Sequence, residues 1–254
     1  MNAESGAGTY SVLIQFHGDL PFFFPRSARE QPLRRTLSEK TSIKDVVEAC
    51  GVPHTEVDLL LCDGEPVGFA HQLKQDATIQ AYPVGCAPDL YASERLQLRR
   101  VTGFVADGHL GKLVRDLRLL GLDVAYASTV ADEELIAVSL AQKRALITLD
   151  RRLLMHSAVQ HGYSPRSQVS EEQTVEVLRR FDVRDLLNRY SRCLRCNAPL
   201  ATVQKSAVMD QLEPLTRIYY HEFRKCDGCG AVYWPGSHFA KLQARIDRIK
   251  AAAG

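Results

Sequence analysis

The sequence predicts an α/β protein in three parts: a small α+β unit, a domain built on a parallel sheet, and a short cysteine-bearing ribbon toward the C-terminal end. Three observations predict it. Residues 102–187 alternate short apolar runs with amphipathic stretches, the pattern of parallel strands and their covering helices. Residues 9–84 instead order their runs as strand, strand, helix, strand, strand. Residues 188–254 carry four of the seven cysteines as two CxxC pairs. Between the first two parts, 85–101 ("GCAPDLYASERLQLRRV") reads as a linker with a short charged turn.

In the first part "YSVLIQF" is a strand, followed by a hairpin through "HGDLP" into "FFF". "SIKDVVEACG" is an amphipathic helix, with Ser42 as N-cap, Ile43, Val46 and Val47 on one face and Gly51 as the stop. "EVDLLLCDGEPV" is a strand with a turn at Asp63-Gly64, and "ATIQAYP" is the last strand. In the second part "GFVADG" is a strand ending on Asp107. The next helix places Leu110, Leu113, Val114, Leu117 and Leu120 on one face, Lys112, Arg115 and Arg118 on the other, and closes at Gly121. "DVAYAS", "ADEELIAVSLAQKR", "ALITL" and "RRLLMHSAVQHG" then read strand, helix, strand, helix, and Ser170 with Gln173 forms a capping box for a last helix. The terminal "KAAAG" reads as a frayed helix end.

Composition narrows the setting. A chain of 254 residues can bury a real core. Residues 1–90 hold 7 Lys/Arg against 12 Asp/Glu, residues 91–187 hold 14 against 13, and residues 188–254 hold 11 against 5. The rising positive charge favours a polyanionic partner toward the C-terminal end. "MNAESGAG" lacks the basic and apolar regions of a signal peptide, and no apolar run approaches the roughly 20 residues of a membrane span. An odd cysteine count arranged in CxxC pairs fits metal ligation in a reducing cytoplasm better than a disulfide framework.

Two strand tips and one helix start carry acids: Asp107, Asp150, and Asp132 with Glu133 beside it. In a parallel sheet the strand tips share one edge, where ligands bind. Acids that converge there repel one another unless a cation joins them, and oxygen ligands suit Mg²⁺ or Mn²⁺. Next to a phosphodiester such ions activate water and stabilise the leaving oxygen. Taken singly, Asp107 and Asp132 sit where helix-capping aspartates sit. The stretch "DGHLGKL" is no phosphate loop, since it lacks the four-residue gap between glycines and the Ser/Thr after lysine.

"CLRC" (Cys193, Cys196) and "CDGC" (Cys226, Cys229) are two knuckles of the kind that together grip one structural Zn²⁺ in a Cys₄ shell. "RIYYHEF" and "AVYW" supply strands around the second knuckle, and His221 and His238 read as bystanders to a filled shell. Tyr219, Tyr220, Tyr233 and Trp234 lie among Arg217, Arg224, Lys225 and Lys241, an interleaving that suits unpaired bases and phosphates.

"FVADGHLGKLVRDLRLLGLDV", "DEELIAVSLAQKRALITLDRRLL" and the four-cysteine tail ending in "VYWPGSHFAKL" resemble the Mut-seven C-terminal RNase family, a branch of the PIN-like nucleases. Residues 9–84 resemble ubiquitin-like β-grasp domains of the sulfur-carrier type, but "AYPVGCAPDL" replaces the terminal Gly-Gly, so that unit is expected to dock a protein partner or guide substrate. The resemblance implies a PIN-like nuclease domain (102–187) and a zinc ribbon (188–254), with Asp107, Asp132 and Asp150 as metal-binding acids of a ribonuclease and Glu133 able to replace Asp132. No aspartate stands near the last helix, where such nucleases often add a fourth acid, so Glu171 or Glu172 would serve. Arg151 and Arg152 would hold phosphates beside Asp150, with Lys112, Arg115 and Arg118 along the RNA backbone. The alternative is a noncatalytic RNA-binding or adaptor protein whose acids cap helices and whose ribbon and β-grasp unit bind partners.

Overall fold

The computed structural model describes residues 9–98 and 100–254; the opening "MNAESGAG" and Arg99 of the linker lie outside the described residues. The chain forms two compact units. One takes the chain up to Arg99 together with Thr148–Ser164, the other Arg100–Ile147 with Pro165–Gly254.

The first unit contains β1 (Tyr10–Phe16), β2 (Leu33–Leu37), β3 (Thr41–Ser42), α1 (Ile43–Ala49), β4 (Val57–Cys62), β5 (Glu65–Pro66), β6 (Gln72–Leu73) and β7 (Ala77–Pro83). Five strands form a mixed sheet in the order β2-β1-β7-β4-β5, with β1 parallel to β7 and the other pairs antiparallel. Alternate residues of β1 (Val12, Ile14, Phe16) face the core and meet Ile43, Val46 and Val47 of α1. The α1 cap forms as the sequence predicts: Ser42 Oγ accepts from Asp45 N at 3.1 Å, and Gly51 leaves the helix at φ +90°. Asp63 and Gly64, at φ +50° and +89°, turn β4 into β5.

The expected hairpin into "FFF" does not form. Leu20–Phe23 coil into a 3-10 turn with Pro21 in its first positions, where a missing N–H leaves no orphan, and Leu20 and Phe23 enter the core. The antiparallel partner of β1 is instead β2, with Tyr10 opposite Leu37. The linker is pinned at its far end: Gln97 N donates to Asp58 Oδ1 at 3.1 Å, and its side-chain amide donates to the carbonyls of His54 and Val57.

Thr148–Ser164 carries α4 (Arg151–Leu154) and β11 (Gly162–Tyr163). The helix expected over 151–162 stops after one turn, where His156 Nδ1 takes the Ala158 N–H. Three contacts hold the segment within the first unit. Arg151 donates to Phe23 O at 2.8 Å, Ser164 N donates to the buried Glu56 at 2.7 Å, and the His54 ring meets Glu48 Oε1 at 2.6 Å and Val159 O at 2.9 Å.

The second unit contains β8 (Gly103–Ala106), α2 (Gly111–Leu119), β9 (Asp123–Tyr126), α3 (Asp132–Ala141), β10 (Ala145–Ile147), α5 (Ser170–Arg180), β12 (Leu200–Val203), α6 (Pro214–Tyr219), β13 (Phe223–Cys226), β14 (Val232–Tyr233) and α7 (Phe239–Ala253). The strands β9, β8 and β10 run parallel, with Ala106 opposite both Tyr126 and Ile147. Phe104, Leu113, Leu117, Leu120, Val177 and Phe181 build its core, with the Phe104 and Phe181 rings edge to face at 5.2 Å. An antiparallel sheet, β12-β13-β14, forms the ribbon.

Four local expectations change here. The start of "RIYYHEF" extends α6 rather than a strand, and β13 begins only at Phe223. No capping box forms at Ser170; Gln173 reaches back to Ser167 O at 2.8 Å. The C-terminal helix end is not frayed, because Ala253 is buried and Arg184 donates to its carbonyl at 3.2 Å. Arg118 does not share the exposed face of Lys112 and Arg115. It is buried, because α2 is covered on a second side by the first knuckle.

Candidate functional site

The two CxxC loops close on each other. Cys193 Sγ lies 3.6 Å from Cys229 Sγ and Cys196 Sγ lies 3.4 Å from Cys226 Sγ. Among the described residues these four form the one group of three or more His, Cys, Asp or Glu side chains whose ligand atoms all lie within 4.8 Å of one another. Such spacings exceed the roughly 2.05 Å of a disulfide and suit a tetrahedral shell with Zn–S near 2.3 Å. Each loop turns in the same way: Cys193 O accepts from Asn197 N, Cys226 O accepts from Gly230 N, and both donors sit at φ near +70°. Gly228 leaves room for Cys196 Sγ, 3.3 Å from where a Cβ would stand. The thiols hold protons unequally. Burial raises the Cys193 pKa, but the Tyr233 hydroxyl and the N–H groups of Cys196 and Arg195 outweigh it and draw it down to about 6. Burial pushes Cys226 up to about 12. The four cysteines fit a structural zinc site, and Cys193 forms a thiolate more readily than Cys226.

The first knuckle is built into the sheet domain. Asn197 donates to Asp123 Oδ1 at 2.7 Å and accepts from Val124 N at 3.1 Å, so it extends the edge of β9. Buried Arg118 donates to Val124 O and to the knuckle carbonyls of Leu194 and Arg195 at 3.2 and 3.0 Å. Sequence reasoning missed Asn197 and wrongly set Arg118 along the RNA backbone, where a buried guanidinium occupied by three carbonyls cannot serve. Asn197 carried a readable signal, since asparagine tolerates the left-handed backbone a knuckle requires; Arg118 carried none. Burial would raise the Asp123 pKa, but donation from Arg144 and Asn197 holds it below the usual carboxylate range. The sign follows: its stabilisation is complete above an unfolded value of about 4 and fades as pH falls through the lowered folded value. Urea midpoints of wild type and Asp123→Asn are therefore expected to differ at pH 7 and to converge below about pH 4. A gap that widened in acid would refute this account.

The acids are divided between the two compact units. Asp107 follows the tip of β8; its N–H donates to Ile147 O at 3.0 Å and its Oδ1 accepts from His109 N at 3.3 Å. Asp132, Glu133 and Glu134 form the exposed first turn of α3, without a side-chain cap from Ala131. The loop leading to them presses on the β8 tip: a Cβ on Gly108 would stand 2.6 Å from Ser128 O, and Tyr126 Oη donates to Gly108 O at 2.8 Å. The loop that leads to Asp132 and Glu133 thus packs at the β8 tip that Asp107 follows, although these acids form no tight ligand group of their own among the described residues. Asp150 belongs to the first unit, where its Oδ1 accepts from Arg152 N at 2.7 Å and Leu153 N at 3.4 Å and caps α4. It lines an open hollow with Glu48, Gly51, Arg151, Arg152 and Met155. Glu171 is paired with Arg248 and Arg245, and donation from Arg248 lowers its pKa. Glu172 accepts from Ser167 Oγ at 2.5 Å.

Of the basic residues, Lys112 and Arg115 stand exposed on α2, Arg152 is exposed on α4, and Arg151 is held at Phe23, with its guanidinium 5.1 Å from that ring. A family model for the Mut7-C RNAse domain matches residues 102–246, more than half of the chain. The chain belongs to the Mut7-C RNAse domain family. A second model, for the Mut7-C ubiquitin domain, matches residues 9–88, which hold the mixed sheet of the first unit. No curated protein matches the chain. The Mut7-C RNAse match runs from β8 through both knuckles into α7, and the parallel sheet and the ribbon likewise fall in one compact unit. No helix among the described residues is long and apolar enough to cross a membrane.

Proposed function

We propose that the protein is a ribonuclease that hydrolyses RNA phosphodiester bonds, using Mg²⁺ or Mn²⁺ held by Asp107, Asp132 and Asp150, with Glu133 able to take the place of Asp132. The observation that carries this reading is the Mut7-C RNAse match over a sheet in which Asp107 follows the tip of β8 and the loop leading to the Asp132–Glu133 turn packs on the next residue, Gly108. Their all-oxygen donor set fits a hard divalent ion and not the thiophilic ion of the cysteine site. Such an ion, when bound, makes water a nucleophile near neutral pH and offsets charge on the departing 3′-oxygen. Lys112, Arg115, Arg151 and Arg152 hold phosphates of the strand, Arg151 and Arg152 through the planar forks that suit phosphate oxygens. The Cys₄ site serves structure only. The ubiquitin-like unit docks a protein partner, and the free thiols of Cys50, Cys62 and Cys86 suit a reducing cytoplasm.

Zinc-loaded protein, freed of other metals, is expected to cleave single-stranded or hairpin RNA when Mg²⁺ or Mn²⁺ is added and to stop when it is withdrawn, with zinc content unchanged. Cleavage indifferent to the added ion would remove the carboxylate metal site from the mechanism. Tight RNA binding without turnover under any ion would favour the noncatalytic adaptor, in which Asp107 and Asp150 only cap their helices.

A further inference from the structure

The ribbon carries a pocket that the proposed hydrolysis does not use. Its volume is about 400 Å³, within the range of small-ligand sites. Its walls come from the ribbon sheet and the start of α7, and its aromatic surfaces are Tyr190, Phe223, Tyr233, Trp234 and Phe239. The Tyr190 and Phe239 rings lie 5.0 Å apart and tilted by 32°, and the Phe223 and Trp234 rings lie 6.5 Å apart, so two aromatic pairs contribute to the lining. Polar groups stand among the apolar ones: the Thr202 hydroxyl, the Gln204 amide, His221, the Glu222 carboxylate, and the guanidiniums of Arg192 and Arg224, which are paired with Asp123 and Tyr190 O. Trp234 and Tyr233 also border a second, polar hollow of about 270 Å³ that contains exposed Arg195 and Gln211. An aromatic-walled pocket thus adjoins a cationic hollow, on a segment with 11 Lys/Arg against 5 Asp/Glu.

We infer that this pocket takes an unpaired base of single-stranded RNA, with the adjoining phosphate on Arg195. The inference rests on the ribonuclease reading for the presence of RNA and adds to it a substrate class, since a base locked in a duplex cannot enter. A base supplies the flat apolar faces and polar edge that the walls match, and its phosphate supplies the charge that the second hollow complements. A wholly apolar peptide would leave Arg195 without a counter-charge.

Trp234 is the single tryptophan of the chain, so its fluorescence reports on this pocket and the hollow that adjoins it. The test uses the full zinc-loaded chain without Mg²⁺ or Mn²⁺ and three probes of equal length: single-stranded RNA, an RNA duplex, and an abasic strand with the same phosphates. The single strand is expected to quench Trp234 and to bind about tenfold more tightly than the abasic strand. The duplex is expected not to quench it. Thr202→Phe, which fills the pocket from an exposed wall position and alters no charge, is expected to bring the single strand to abasic affinity and leave the abasic strand unaffected. Equal binding of the single and abasic strands would overturn the base pocket and leave the ribonuclease reading standing. Absence of binding to every RNA would overturn the base pocket, and its persistence after Mg²⁺ or Mn²⁺ is added would overturn the ribonuclease reading as well. Quenching by an apolar peptide but not by RNA would assign the pocket to a protein and likewise overturn the proposal.

Discussion

Replacing Asp150 by asparagine is expected to lower RNA cleavage by about 100-fold or more while the protein stays folded and zinc-loaded. The carboxylate caps α4 through one oxygen, Oδ1, which accepts from Arg152 N and Leu153 N. Asparagine caps a helix about as well as aspartate, so Asp150→Asn keeps the turn and removes only the negative charge. Asp150→Ala removes both, and the lost cap alone costs about 1 kcal/mol. The pair separates the two roles. If Asp150 is a cap and nothing more, the asparagine variant cleaves at the wild-type rate and only the alanine variant is less stable. If it holds an ion at the reacting phosphate, both variants lose activity, because withdrawing one fixed electrostatic group from a reacting centre typically lowers turnover by about 10²–10³. Asp107→Asn allows the same separation at the sheet edge, where Oδ1 accepts from His109 N. Wild-type cleavage rates in both asparagine variants would reduce these acids to helix caps.

Local signals were legible wherever one residue fixes one conformation. Ser42 capped α1 and Asp63-Gly64 turned the strand because each depends on nearest neighbours in the chain. Strands β1 and β7 matched their apolar alternation from end to end, since both lie inside a sheet with one buried face. The cysteine site was legible from spacing alone, because a CxxC turn is itself the chelating geometry. What stayed hidden depends on contacts far apart in sequence. Arg118 fell at a position that a helical wheel assigns to solvent, and its burial depends on a loop more than 70 residues away. Nothing near 148–164 announced that Glu56 and His54 would hold it, because their partners are backbone groups, which carry no sequence signal. The acids were readable as positions, but an acid at a strand tip or helix start suits a cap as well as a ligand, so sequence alone left two chemistries on the same residues.

Stripping zinc, or replacing Cys226 by serine, is expected to unfold the ribbon and loosen the sheet beside it. The ribbon has little else to hold it: Val208, Leu212 and Phe223 are its buried cluster, with Val203, Tyr220 and Val232 partly buried against them. A core of that size stabilises a module by a few kcal/mol at most, whereas a structural Cys₄ zinc supplies about 10 kcal/mol or more in small modules at neutral pH. The loss should spread along specific bonds. Without the knuckle, Asn197 no longer meets Asp123 and Val124, and Arg118 loses the carbonyls of Leu194 and Arg195 while staying buried beside Val124. A buried guanidinium short of two acceptors destabilises the helix that carries it. Amide hydrogen exchange is therefore expected to rise first in β12–β14, then in β9 and α2, while α1 and β7 of the ubiquitin-like unit keep their protection. Exchange unchanged across the ribbon after zinc removal would mean that the four thiols hold nothing together. Protection lost in the ribbon but intact in β9 would show that Arg118 and Asn197 are passengers on the sheet rather than its brace.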